Sequence, residues 1–217
     1  MPVKRIFLVD DHPMLREGLQ RLIEQQPGRQ VCGESDTASG ALEAILRLSP
    51  DLVMTDISLP DKNGLELIKD LQALSPSIPI LVFSMHDEML YAERAMRAGA
   101  KGYLMKGTMI DGLADAMESV LGGGIYLSRR VSDHILQNLS GTRSPSKSGL
   151  KSLTDRELEI FELIGSGKSS AQISDQLHFS QKTVDAHRAN IRAKLALADG
   201  SALLREAILW VELGTVV

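Results

Sequence analysis

Over its first 125 residues the chain alternates short, unbroken apolar runs with segments of helical period, and this alternation restricts the possible folds more than any other feature. Ile6-Phe7-Leu8-Val9 and Ile80-Leu81-Val82-Phe83 hold no polar residue, so a strand formed by either must be buried on both faces. Helices on both sides of a parallel sheet provide that burial. The predicted strands are Arg5–Asp10, Gln30–Ser35, Leu52–Asp56, Pro79–Ser84 and Gly102–Lys106. The predicted helices are Pro13–Gln25, Ala38–Leu48, Gly64–Leu74, Met89–Ala98 and Met109–Leu121. Strict alternation of five strands and five helices predicts an α/β, doubly wound domain with a five-stranded parallel sheet.

The pattern then changes. Asn138–Ser152 is rich in Ser and Gly with no apolar period and reads as a linker, preceded by a possible short helix at Ser128–Leu139. Leu153–Leu213 carries helical signals alone and predicts a small all-α domain of four helices. The expected organisation is therefore a domain at 1–125, a linker at 126–152 and a second domain at 153–217. No apolar run approaches the roughly 18 to 20 residues of a membrane span, and Asp10 and Asp11 cut off the apolar start before it could serve as a signal peptide. A single cysteine, Cys32, cannot form an internal disulfide, so a reducing cytoplasm is expected, with no membrane partner. The formal net charge of -4 argues against a generally basic nucleic-acid binder. It conceals a local stripe at Gln181–Leu195, where Lys182, Arg188, Arg192 and Lys194 face one acidic residue, Asp185.

Ligands of open parallel sheets bind beyond the carboxyl ends of the strands. Four predicted strands deliver polar groups there: Asp10 and Asp11, Asp56, Ser84 and Lys106. Three carboxylates together repel one another unless a hard cation joins them, and magnesium, which takes few carboxylates and keeps several waters, suits such a nest. Asp56 can attack phosphorus as a carboxylate nucleophile, while Lys106 neutralises the transferring oxygens and Ser84 donates to the attached group. A lone aspartate at a strand end is more often a turn or cap residue. Five polar groups at the same end of four strands exceed what capping explains.

In the second domain, Thr154 and Glu157 form the signature of a capping box, and Gly165 and Gly167 close the helix it opens. A helix at Ala171–Leu177, a turn at His178-Phe179-Ser180 and a helix at Gln181–Leu195 make a helix-turn-helix, whose second helix enters the major groove. At 100° per residue Val184, Ile191 and Leu195 face the core, while Lys182, Ala186, Ala189 and Ala193 lie opposite, flanked by Asp185 and Arg192. Alanines rimmed by charge suit a helix whose backbone approaches base edges. Asp185 can accept from a cytosine amino group, and the methyls of Ala186 and Ala189 can touch thymine methyls. Lys182, Thr183, Arg192 and Lys194 are expected on phosphates. A small all-α protein-binding module has similar geometry and remains the alternative at this level.

The runs VDDHPMLREGL, DLVMTDISLPDKNGLEL, FSMH at Phe83–His86 and GAKGYLMK at Gly99–Lys106 resemble the flavodoxin-like receiver domain of two-component response regulators. SLTDRELEIFELIGSGKSSAQISDQLHFSQKTVDAHRANIRAKL resembles the LuxR-type DNA-binding domain, so the chain as a whole is similar to the NarL/FixJ subfamily. The resemblance implies that a sensor histidine kinase's phosphohistidine phosphorylates Asp56 and that double-stranded DNA is the output partner. It implies magnesium held by Asp11, Asp56 and the Ser58 main-chain carbonyl, with Asp10 acting through water, and a switch pair of Ser84 and Tyr103. Such a protein is not an enzyme beyond its own phosphoryl transfer and dephosphorylation. Departures from the family pattern are Gly107 where a proline often follows the lysine, Ser174 where alanine is usual, Gly200 where a basic residue is common, and Asp185 at a position often basic.

The last helix, Ser201–Leu213, is richer in apolar residues than its own domain needs. It either forms the family's dimer contact or packs wholly on its own domain. A homodimer formed on phosphorylation is expected, with unmasking of the DNA-reading helix as the other route. Two further classes compete: a metal-dependent phosphatase, which usually has a second Asp where Ser58 stands, and a receiver acting by protein contact alone, which the intact QKTVDAHRANI run opposes.

Overall fold

The apolar runs of the first half form the interior of one sheet. The structure, a computed structural model, describes residues 2–108, 111–139, 149–177 and 179–213. The chain divides into two compact units, Met1–Thr142 and Arg143–Val217. In the first, the order is β1 (Lys4–Val9), α1 (Pro13–Glu24), β2 (Arg29–Ser35), α2 (Ala38–Leu48), β3 (Leu52–Thr55), α3 (Gly64–Leu74), β4 (Ile80–Ser84), α4 (Glu88–Ala98), β5 (Gly102–Met105), α5 (Asp111–Leu121) and α6 (Arg129–Leu139). The strands pair in parallel in the order β2-β1-β3-β4-β5. The connection reverses direction between β1 and β3, which makes their carboxyl ends the place where a ligand crevice opens. Val9 is in register with Thr55, so Asp10 and Asp56, one residue further on, leave the sheet side by side.

Period-two alternation divides the sheet's side chains between two faces. Ile6, Leu8, Leu52, Met54, Leu81, Phe83 and Leu104 pack with Leu19 and Ile23 of α1 and with Leu113, Ala116, Met117 and Val120 of α5. Phe7, Val9 and Val53 are buried on the opposite face, the side on which α2 meets β1. Each buried aliphatic side chain contributes roughly 1.5–3 kcal/mol relative to exposure, which is why the unbroken apolar runs settle at the centre. Three strands stop one residue earlier than the sequence predicts, at Val9, Thr55 and Met105. Asp10, Asp56 and Lys106 turn out of the ladder there and join one another through their side chains. Of the predicted helix Met109–Leu121, Met109 and Ile110 lie outside the described residues.

The short helix expected ahead of the linker is α6, and it packs on α4. Its start is fixed by Ser128, whose hydroxyl accepts from Val131 N at 3.2 Å and donates to Glu88 Oε1 at 2.8 Å. Tyr126 lies along the outer edge of β5, with Tyr103 N donating to its carbonyl at 2.9 Å and its own N–H donating to Lys101 O at 3.0 Å. Of the Ser- and Gly-rich stretch Asn138–Ser152, residues 140–148 lie outside the described residues.

The second unit holds α7 (Asp155–Gly165), α8 (Ser170–Gln176), α9 (Gln181–Lys194) and α10 (Gly200–Leu213). Capping boxes open α7 (Thr154 with Glu157) and α8 (Ser169 with Gln172), and the Ser180 hydroxyl accepts from Thr183 N to start α9. Each cap satisfies N–H groups that the first turn leaves free, worth about 1 kcal/mol apiece. Leu158, Phe161 and Ile164 of α7 meet Val184 and Ile191 of α9 and Leu203 and Ala207 of α10 in one core. Gly167, at φ 79°, ends the first helix as expected. Gly165 has another role: a Cβ there would stand 2.3 Å from Ala207 O, so its missing side chain lets the backbone of α7 come up against that of α10. Leu195, expected on the core face of α9, is half-buried at its C-cap.

Candidate functional site

The carboxyl ends of β1, β3, β4 and β5 converge on Asp56. Its Oδ2 receives Lys106 Nζ at 2.6 Å, and its Oδ1 accepts from the Ser84 hydroxyl at 2.6 Å and from Ile57 N at 2.6 Å. Lys106 Nζ also lies 2.6 Å from Asp10 Oδ2. Asp10, Asp56, Ser84 and Lys106 are all buried. Burial works against the charge on Lys106, but the Asp56 and Asp10 carboxylates outweigh it and lift its pKa above the ordinary lysine value. The ammonium is thus fixed as a cation between two carboxylates, where it can counter charge that arrives on Asp56.

Asp11 is half-exposed beside this pair. Its Oδ1 is sheltered from solvent and has no hydrogen-bond donor; the His12 ring nitrogen is within ion-pair distance, 2.6 Å, but not in hydrogen-bonding geometry. Asp10, Asp11, His12 and Asp56 each offer one ligand atom within 4.8 Å of the others. An oxygen-rich nest with one sheltered and unsatisfied carboxylate oxygen fits a divalent cation. Asp10, Asp11 and Asp56 would hold it.

Behind Ser84, the β4–α4 turn is tied to both neighbours. Tyr103 is buried, and its hydroxyl donates to the His86 carbonyl at 3.0 Å. The His86 ring lies 4.6 Å from that of Tyr91 and shares a hydrogen bond of 2.8 Å with the Ser58 hydroxyl. Ser58, expected to serve through its main-chain carbonyl, therefore bridges the turn after β3 to the turn after β4 by its side chain. Gly64 presses on the same corner, since a Cβ there would stand 2.0 Å from the Asp56 carbonyl. Sequence reasoning passed over His12, His86 and Gly64. His12 directly follows the two aspartates, a visible signal; the other two gain their roles from contacts distant in sequence.

On α9, Lys182, Thr183, Asp185, Ala186 and Ala189 are exposed and Arg192 is half-buried, while Val184 and Ile191 are fully buried. Among the expected DNA-facing residues, Thr183, Asp185 and Lys194 have side-chain partners within the unit, and the Thr183 hydroxyl shares a hydrogen bond of 2.8 Å with that of Ser180. Asp185 Oδ1 accepts from the Ser170 hydroxyl at 3.0 Å. Lys194 Nζ lies 2.6 Å from Oε2 of the buried Glu157. Burial alone would raise the Glu157 pKa; the bonds from Lys194 and Thr154 overcome it and lower the value. Arg156 stacks 4.7 Å above the Phe179 ring, which in turn lies against His187. Ser174 is buried and donates to Ala171 O at 3.0 Å, so the hydroxyl that replaces the usual alanine methyl is satisfied within its own helix. His178 of the turn lies outside the described residues.

Residues 6–118 match the family model described as the response regulator receiver domain, and residues 151–207 the one described as bacterial regulatory proteins, luxR family. The chain is 31% identical to the transcriptional regulatory protein DegU of Brevibacillus brevis, over 94% of this chain and 92% of that protein. It is 32% identical to the nitrate/nitrite response regulator protein NarL of Escherichia coli K12, over 95% and 94%. Among solved structures, a LuxR-family two-component response regulator from Aurantimonas sp. SI85-9A1 shares 36% identity with a TM-score of 0.60, covering 64% of this chain and 99% of that one. RcsB of Salmonella enterica serovar Typhimurium, bound to the rprA promoter in the presence of phosphomimetic BeF3-, has a TM-score of 0.66 over 94% of this chain and 97% of that one. At 23% identity that second likeness speaks for the fold.

Proposed function

The chain belongs to the two-component response regulators of the NarL/FixJ subfamily, which join a receiver domain to a LuxR-type DNA-binding domain and control transcription, and on that premise we propose that Asp56 is its phosphoacceptor. The observation that carries this reading is the buried Asp56 carboxylate, held at 2.6 Å by both Lys106 and Ser84 beside Asp10 and Asp11. A carboxylate oxygen of Asp56 attacks the phosphorus of a sensor kinase's phosphohistidine. The new O–P bond forms as the P–N bond breaks, and the imidazole nitrogen leaves with the electron pair. Lys106 is placed to neutralise the transferred oxygens, and the Ser84 hydroxyl to donate to one of them once the group is attached. A magnesium ion bound by Asp11, Asp56 and the Ser58 carbonyl, with Asp10 acting through water, would supply positive charge to the same oxygens.

Within this reading the receiver of 1–125 is followed by 126–152, whose first part, Tyr126 and α6, packs back on the receiver, and by the DNA-binding domain at 153–217. The protein works in the cytoplasm, where its DNA lies, and catalyses nothing beyond its own phosphorylation and dephosphorylation. The exposed residues of α9, with the half-buried Arg192, would read double-stranded DNA, Asp185, Ala186 and Ala189 at base edges and Lys182, Thr183 and Arg192 on phosphates. Lys194 would contact a phosphate on release from Glu157. Phosphorylation would act by pairing two copies. Leu204 and Val211 on α10 are 42% and 43% exposed, two turns apart on one face, which favours pairing over unmasking.

The test is labelling with a small phosphodonor and magnesium, followed by a mobility-shift titration on genomic fragments. The expected result is one acid-labile phosphoryl group per chain, lost in Asp56→Asn, and tighter DNA binding by the phosphorylated protein. Undiminished labelling of the variant would place the acceptor elsewhere.

A further inference from the structure

His12 stands at the N-cap of α1, where Ser, Thr, Asp or Asn commonly bonds a free N–H of the first turn. Its side chain makes no such bond. It turns to the acidic nest instead, with Nδ1 2.6 Å from Asp11 Oδ1 and 3.2 Å from Asp10 Oδ1. The backbone holds the ring there: His12 N donates to Asp10 Oδ1 at 2.9 Å, and Pro13 follows with its restricted φ. Neighbouring ligands on an octahedral ion with bonds of about 2.1 Å lie roughly 3 Å apart. The 2.6 Å between the imidazole nitrogen and Asp11 Oδ1 is close to that value, and the 3.2 Å contact with Asp10 Oδ1 aims the ring at the same nest.

We propose that His12 is a ligand of the receiver's cation site, adding an imidazole nitrogen to its carboxylate oxygens and so favouring divalent transition ions such as Mn2+ and Co2+ over Mg2+. This rests on the acidic nest being the cation site. Mg2+ prefers all-oxygen surroundings and keeps its waters, whereas imidazole binds transition ions more strongly, increasingly so from manganese to cobalt. A site of carboxylates and carbonyls alone would discriminate weakly between Mg2+ and Mn2+. A nitrogen donor in the set shifts that balance. If His12 were merely an ion-pair partner of Asp11, an arriving cation would take the carboxylate and displace the ring.

The experiment uses the full chain and Mn2+ as the probe. Pulsed electron paramagnetic resonance of the loaded protein should show the modulation of a coordinated imidazole nitrogen, absent from His12→Asn and His12→Gln. Asparagine at this N-cap preserves the start of α1, which keeps the test independent of folding. Calorimetric titrations should show the ratio of Mg2+ to Mn2+ dissociation constants falling by about tenfold in both variants, the low end of what losing a metal-site partner costs. Mn2+ bound without imidazole modulation, or an unchanged ratio in the variants, would overturn the assignment of His12 and leave the cation site standing. Mn2+ binding that survives Asp11→Asn together with Asp56→Asn would overturn the nest itself as the site.

Discussion

The Tyr103 hydroxyl donates to the main-chain carbonyl of His86 at 3.0 Å, so a buried ring on β5 fastens the turn that follows Ser84. The same residue donates its main-chain N–H to Tyr126. One position therefore holds the turn beside the Asp56 carboxylate and the segment leading into α6. Tyr103→Phe keeps the ring and removes the hydroxyl, and should lower stability by about 1 kcal/mol. Amides of 85–88 should exchange faster in hydrogen-exchange mass spectrometry while labelling of Asp56 persists. Unchanged exchange there would show that the turn is held by other contacts.

Among the described residues Ser84 supplies the hydroxyl that bonds the Asp56 carboxylate, at 2.6 Å, and so can follow a phosphoryl group attached there. Ser84→Ala should leave Asp56 able to accept phosphate but abolish the accompanying rise in dimer fraction and DNA affinity. Analytical ultracentrifugation alongside a binding titration measures both. A phosphorylated wild type that remains monomeric yet binds more tightly would favour unmasking.

Gly165 marks a close approach between α7 and α10, with Ala207 O and Val211 Cγ2 2.3 Å and 2.6 Å from where a Cβ would sit. Gly165→Ala must push the helices apart and should cost about 1–3 kcal/mol. Trp210 is the chain's single tryptophan and lies on α10, 6.0 Å from the Phe161 ring. Urea titrations followed by its fluorescence therefore report this unit.

The pair Glu157–Lys194 gives the same unit an acid-sensitive component. The folded Glu157 carboxyl titrates below its unfolded counterpart. Its contribution is thus complete above the unfolded value, roughly 4.3, and disappears as pH falls through the lower folded value. The urea midpoint from Trp210 fluorescence should drop on acidification through this range, and less steeply in Glu157→Gln.

On DNA, Lys182→Ala should weaken binding to all sequences alike and reduce the salt slope by about one counterion. Asp185→Ala should change the preferred base at one position per half-site. Ser170→Ala, which frees the Asp185 carboxylate from its 3.0 Å partner, should relax preference at that same position. Selection from a randomised half-site library reads all three.

The strands, the helices and the convergence of Asp10, Asp56, Ser84 and Lys106 were legible in the sequence because each depends on local periodicity and on the rule that parallel strands end together. Val184 and Ile191 were legible as the core face of α9 for the same reason. The partners of Lys194 and Asp185 were not: Glu157 lies on α7 and Ser170 on α8, and no periodicity within α9 points to either. His86 was equally hidden, because its bond to Ser58 joins two loops that meet only when β3 and β4 pair. The packing of α6 on α4 escaped for a different reason, since helical period shows that an apolar face exists and says nothing of which surface receives it.

Tyr126 completes the outer edge of β5 from a point in the chain beyond α5. During synthesis the sheet therefore stays open on that side until residues well past the fifth helix have left the ribosome. A nascent chain stalled after Leu121, or a fragment excised there, would present Lys101 O and Tyr103 N unpaired, along the strand that also carries the Tyr103 ring behind Ser84. Excision of this unit for separate study is safest after α6.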